Sequence, residues 1–132
     1  VKTYFYRYEG DAYETEYTGG IRATVNLTRY VGVKQTHAGW WVMPEYTSRI
    51  ILNTIEGGLS PRNAGAKWIS NTSRKRYAYP TKDEAWDSFC IRRSRRIEHL
   101  ERQLRYAKAI EKIIEPDGEF KEECSLSKLI SL

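Results

Sequence analysis

Hydrophobic and polar positions alternate through the first half of the chain. From Lys2 to Tyr8 one face carries Tyr4, Tyr6 and Tyr8, and the other Thr3, Phe5 and Arg7. That period of two predicts a strand. Gly10-Asp11 supplies turn chemistry, Ala12–Tyr17 reads as the returning strand, and Gly19-Gly20 ends it. Ile21–Leu27 and Arg29–Gln35 hold β-branched and aromatic residues at strand density. His37-Ala38-Gly39 predicts a turn into Trp40-Trp41-Val42-Met43, which Pro44 ends. The apolar run Arg49-Ile50-Ile51-Leu52 suits a strand or a helix, so 46–55 stays open. Glu56–Gly65, rich in glycine with a proline and an asparagine, predicts a loop able to cover a ligand. Lys67-Trp68-Ile69 and Arg76–Tyr79 predict a final hairpin around Asn71-Thr72-Ser73.

The period then changes. Thr81-Lys82-Asp83-Glu84 fits a capping box, with Thr81 as N-cap, Pro80 before it and two acids in the first turn. Neither Gly nor Pro recurs before Pro116, so the helix is predicted from Lys82 to about Ile114, roughly 50 Å of rod. Trp86, Phe89, Cys90, Ile97, Leu100, Leu104, Ala107 and Ile114 share one stripe, and 97, 100, 104, 107 is heptad spacing. Core or dimer contact is the expected role of this stripe, with Cys90 buried and inert. Arg93 and Glu111 fall inside it, too far apart to pair within one helix, at about 27 Å. The predicted fold is α+β in one domain, residues 1–132. Residues 1–80 form an antiparallel β half and 81–114 the long helix. Residues 115–132 form an acidic tail whose Leu126, Leu129, Ile130 and Leu132 would dock as a short helix.

With 132 residues, 40% of them hydrophobic, the chain is long enough to fold around a core without disulfides. It lacks an apolar run of membrane-spanning length, and Val1-Lys2-Thr3-Tyr4 does not read as the apolar core of a signal peptide, so none is expected. Two cysteines, Cys90 and Cys124, build neither a disulfide framework nor a zinc site. A cytoplasmic protein with free thiols and no metal or cofactor is expected.

Charge sharpens this picture. Against a net +5, residues 74–96 hold eight bases and three acids, while the tail from Glu115 holds five acids and two bases. An arginine-dominated centre suits a phosphate, a nucleotide or a nucleic acid. The candidate phosphate ligands are Arg92, Arg93 and Arg96 on the helix, with Arg74 and Arg76 from the sheet edge. Trp86, Phe89, Tyr77 and Trp68 are the candidate rings for stacking a base. Neither His37 nor His99 joins a triad or a metal spacing, and no glycine-rich phosphate loop precedes a Lys-Ser/Thr pair. The chain therefore reads as a binding protein and not an enzyme.

The segment Arg76-Tyr77-Ala78-Tyr79-Pro80-Thr81-Lys82-Asp83-Glu84-Ala85, with Ser88-Phe89, Arg92-Arg93 and Ile97…Leu100, resembles small phage-encoded accessory proteins. Among these it is most similar to the Thoeris anti-defence family of nucleotide sponges. The likeness is one of architecture and helix start, over about residues 76–110. It implies a protein that sequesters a cyclic ADP-ribose isomer or another cyclic nucleotide at an oligomer interface without degrading it. A homodimer or higher homo-oligomer is expected from the seam Ile97, Leu100, Leu104 and Ala107, with a dimer held by the helix Lys82–Ile114. The alternatives are a nucleic-acid-binding protein and a protein–protein inhibitor of a bacterial defence effector, in the manner of an anti-CRISPR.

Overall fold

A computed structural model describes residues 2–17 and 19–114. The predicted tail, 115–132, lies outside the described residues. The chain divides into two compact units, Val1–Cys90 and Ile91–Leu132. The elements are β1 (Tyr4–Glu14), β2 (Ile21–Thr36), β3 (Gly39–Pro44), α1 (Arg49–Glu56), β4 (Lys67–Ser70) and α2 (Lys82–Glu111). The four strands form one antiparallel sheet in the order β1-β2-β3-β4. The α+β class is as the pattern predicts: an antiparallel sheet, then a long helix.

Three local expectations are corrected. The chain does not turn at Gly10-Asp11. β1 runs straight through, pairing Gly10 with Val25 and Asp11 with Thr24. The turn comes later, where the Thr15 N–H donates to the Gly20 carbonyl at 2.9 Å and Gly19 takes a φ of 63°. Full-length pairing satisfies more backbone groups than an early turn, and glycine adopts the left-handed turn conformation without strain. Next, Arg76–Tyr79 forms no hairpin with β4. Tyr79 instead exchanges backbone hydrogen bonds with Tyr6 on the outer edge of β1, at 2.7 and 2.9 Å. Finally, Cys90 is exposed. The open segment 46–55 resolves as helix α1, because the Ser48 Oγ accepts from the Ile51 N–H at 3.4 Å and Gly57 follows the last turn.

The register sorts side chains onto two faces. Phe5 pairs with Tyr30, and both join Val42, Ile69 and Ala78 in one buried cluster on the first face, flanked by Trp40 and Tyr77. Gly32 lies under the Trp40 ring; a Cβ there would sit 2.5 Å from Trp40 Cε3. Directly after Gly32 the β2–β3 register shifts, and Val33 packs into the second cluster. That cluster, on the opposite face, joins Met43, Ile55 and Ala66 with Leu52, so α1 covers this end of the sheet.

The first turns of α2 cover the other end of the second face. Tyr8 meets Trp86 edge-on with ring centroids 5.2 Å apart, and Phe89 at 6.5 Å. The N-cap bond of the predicted capping box forms, the Glu84 N–H donating to Thr81 Oγ1 at 3.2 Å, while the Glu84 carboxylate accepts from the Thr81 hydroxyl at 3.0 Å. In the second unit α2 continues to Glu111, three residues short of the predicted end. Ile113 is the one buried residue described there, and the seam residues Ile97, Leu100 and Leu104 are exposed. Among the described residues no helix is long and apolar enough to cross a membrane.

Candidate functional site

A groove of about 600 Å3 opens on the second face. Its floor comes from β1 and β2, through Tyr6, Leu27, Thr28 and Arg29. Its walls are Glu45 and Tyr46, just after β3, and Lys82, the first residue of α2. The alternation of β1 aims Tyr6 here, between Tyr4 and Tyr8 on the same face. The residue before Lys82 is held by the cap, which fixes where Lys82 enters.

Charge in the groove is unevenly spent. Arg29 donates from Nε to Glu45 Oε2 at 2.7 Å and from Nη2 to Oε1, a two-pronged pair. Its guanidinium also lies 4.3 Å from the centroid of the Tyr4 ring. The Glu45 carboxyl is consequently held below the usual carboxylate range, chiefly by the hydrogen bond from Arg29. Arg29 is pushed up by the same bond. Lys82 makes no ion pair among the described residues; its ammonium lies 5.7 Å from the Tyr6 ring centroid. Tyr46 is 83% exposed. The groove therefore offers a cation without an ion pair among the described residues and two phenol rings, in a volume typical of small-ligand sites.

A smaller groove, of about 190 Å3, lies on the other side of Glu45. Lys2, Tyr4, Val31, Leu52 and Glu56 line it, with Gly32 and Val33 from β2.

None of the nine residues that the sequence nominates lines either groove. Arg76 closes its own loop, donating from Nε to the Ser73 carbonyl and from Nη2 to the Asn71 carbonyl, both at 2.7 Å. Arg74 is exposed, and its carbonyl accepts from the Tyr79 hydroxyl at 2.9 Å. Tyr77 belongs to the first-face core. It bonds the Tyr30 hydroxyl at 3.0 Å, and the Arg7 guanidinium sits 4.2 Å from its ring centroid. Trp68 stacks obliquely on Trp41 at 5.4 Å, on the opposite face from Tyr77. Phe89 is buried against Tyr8, so of the two nominated helix rings Trp86 alone is open. Arg92, Arg93 and Arg96 belong to the second unit, where Arg93 and Arg96 are exposed.

Sequence reasoning missed Tyr6, Arg29, Tyr46 and Lys82. The tyrosine alternation put Tyr6 on a common face with Tyr4 and Tyr8, and the cap placed Lys82 at a helix start. Nothing local said that Arg29 and Glu45, sixteen residues apart, would meet. Neither the protein-family models, nor the curated proteins, nor the solved structures contain a match to the chain.

Proposed function

We propose that this protein is a non-enzymatic binding protein for an anionic, ring-bearing small molecule of nucleotide type, held in the larger second-face groove. The observation that carries the reading is the combination in that groove of Lys82, a cation without an ion pair among the described residues, with the rings of Tyr6 and Tyr46. A phosphate suits the ammonium, and a base suits an exposed phenol face. Arg29 gives shape and hydrogen-bonding edges while Glu45 holds its charge. The finer reading is a phage-type anti-defence sponge that sequesters a cyclic ADP-ribose isomer or a cyclic nucleotide in the host cytoplasm. It rests on the resemblance of residues 76–110 and on the groove's size.

Calorimetry against cyclic ADP-ribose isomers, cyclic nucleotides and short DNA tests this. Binding of a cyclic nucleotide at micromolar concentration is expected, with the ligand recovered chemically unchanged after the protein is denatured. Lys82→Ala and Tyr46→Ala should each weaken it at least about tenfold. Conversion of the ligand, or binding indifferent to both substitutions, removes the proposal.

Nucleic acid is the second reading, favoured by the exposed arginines on α2, among them Arg93, Arg95, Arg96 and Arg102. It predicts an affinity that falls steeply with salt and that responds to Arg93→Ala and Arg102→Ala alike.

A further inference from the structure

The β1–β2 hairpin extends well past the rest of the sheet. β3 pairs with β2 only over Tyr30–Thr36, so Ile21–Thr28 has β1 on one side and no strand on the other among the described residues. Glu9–Glu14 and Ile21–Leu27 are exposed on both faces of this arm. A two-stranded ribbon alone in water is marginal; a third strand or a covered face is what normally stabilises it.

The free edge has a definite geometry. Tyr6 exchanges hydrogen bonds with Tyr79 on the outer side of β1, so Tyr6 and its partner Arg29 form a non-hydrogen-bonded pair within the hairpin. The Arg29 carbonyl accordingly points away from β1 and accepts from the Glu45 N–H at 2.9 Å. By the same parity the N–H and C=O groups of Ile21, Ala23, Val25 and Leu27 all point off this edge. Their side chains share the second face, with Ile21 74%, Val25 49% and Leu27 40% exposed. The edge thus joins a row of backbone groups without a strand partner among the described residues to an apolar strip.

Protective features are missing here and present on the other edge. Natural edges carry charges or proline to repel a docking strand. Ile21–Thr28 has one charge, Arg22, and no proline, whereas β1 carries Glu9, Asp11 and Glu14 along the same arm.

We propose that Ile21–Leu27 pairs antiparallel with the same segment of a second copy, about a two-fold axis at Thr24, joining two four-stranded sheets into one. The segment is complementary to itself in this register. Ile21 opposes Leu27, and Ala23 opposes Val25, each pair meeting its equivalent across the axis with every outward backbone group satisfied. On the first face Arg22 opposes Asn26, so no like charges meet. Shifting the axis by one residue in either direction loses this fit. One shift sets Ile21 against Arg29, whose carbonyl already serves Glu45; the other leaves Leu27 against Gly19. In the chosen register Gly20 and Gly19 of the second copy fall opposite Thr28 and Arg29. These two glycines therefore face Thr28 and Arg29 without side chains. An unrelated strand would share the backbone bonds but not this match of side chains, which is why the second copy is the favoured occupant. The pairing stands independently of the ligand reading.

The test uses the full chain with the helix seam disabled by Leu100→Lys and Leu104→Lys, both at exposed positions, so that only the strand contact is measured. Sedimentation equilibrium is expected to give twice the 15.5 kDa chain mass. Adding Val25→Pro, whose lost N–H points off the edge and not into the hairpin, is expected to return the mass to that of one chain with an unchanged circular dichroism spectrum. A second experiment reads the register. At the axis the two Thr24 Cα atoms would lie about 4.5 Å apart, within disulfide reach. With Cys90 and Cys124 changed to Ser, Thr24→Cys should cross-link nearly completely in oxidised glutathione, and Asn26→Cys should cross-link at least tenfold more slowly. A monomer in the first experiment, a dimer indifferent to Val25→Pro, or equal cross-linking from both cysteines overturns the proposal.

Discussion

Thr81 uses one oxygen in two directions, accepting from the Glu84 N–H and donating to the Glu84 carboxylate. Its removal leaves a helix donor to water, and Thr81→Ala is expected to cost about 1 kcal/mol, read as a lower melting temperature. Tyr30 and Tyr77 depend on each other more closely. Burial, then the hydrogen bond to Tyr77, pushes the Tyr30 phenol well above the usual tyrosine range. The native state therefore keeps a proton that the unfolded chain releases. Stability is full below the ordinary tyrosine value of about 10 and falls as pH rises through it. In Tyr30→Phe this alkaline loss should shrink, while neutral-pH stability drops by about 1 kcal/mol for the bond removed; urea melts at neutral and alkaline pH measure both. Glu45 works in the opposite sense, losing its pairing with Arg29 as pH falls through its depressed value. Both partners are at the surface, so this contribution is small and fades in salt. Gly32 illustrates why composition alone says little about a glycine. Its φ is unremarkable, yet Gly32→Ala should cost about 1–3 kcal/mol because the Trp40 ring occupies the space a methyl would need.

At the scale of elements, the strong local signals are those that end or start something. Pro44 closes β3, Gly39 opens it, and Thr81 with Glu84 begins α2. Ser48 before α1 and Gly57 after it are signals of the same kind, but the short apolar run between them fits two periods and hides the helix. The α2 seam remains a proposal for helix–helix contact. Ile97, Leu100 and Leu104 are exposed in the second unit at heptad spacing. Light scattering on the wild-type chain should give a mass above 15.5 kDa, and Leu100→Lys with Leu104→Lys should lower it while leaving helix content intact. An unchanged mass would mean that the seam contributes nothing to assembly.

For the whole molecule, charge is segregated along the chain more than it is excessive. The basic centre at 74–96 equals the entire net +5. Within it the structure separates roles. The Arg76 guanidinium closes a loop, Arg93 and Arg96 face solvent, and Lys82 faces the groove. Comparing Lys82→Ala with Arg93→Ala by calorimetry separates a groove ligand from a helix-bound one. Loss only in the first supports the groove; loss only in the second moves the site to α2. No group of three or more His, Cys, Asp or Glu side chains able to hold a metal occurs among the described residues. Treatment with a chelator is expected to leave the melting temperature unmoved, and a stoichiometric metal in elemental analysis would contradict this.

The sequence by itself determined what depends on neighbours along the chain. Period-two alternation fixed the strand-rich half, a capping box and an unbroken run fixed the long helix, and the class α+β follows from their order. Tertiary structure decided whatever depends on residues far apart in sequence. Whether Gly10-Asp11 turns or stays extended is settled by the partner strand, since Val25 and Thr24 supply the opposing backbone groups. Whether Arg76–Tyr79 returns to β4 or crosses to β1 is settled by distant partners, since Tyr79 exchanges backbone bonds with Tyr6 and Ala78 joins Phe5 in the buried cluster. The nominated rings were divided for the same reason. Tyr77 and Trp68 are close in sequence, but the pleat and the crossing to β1 send them to opposite faces. Composition located the cations without saying which of them a carboxylate would neutralise, because Coulomb attraction depends on distance in space and only the fold sets that distance.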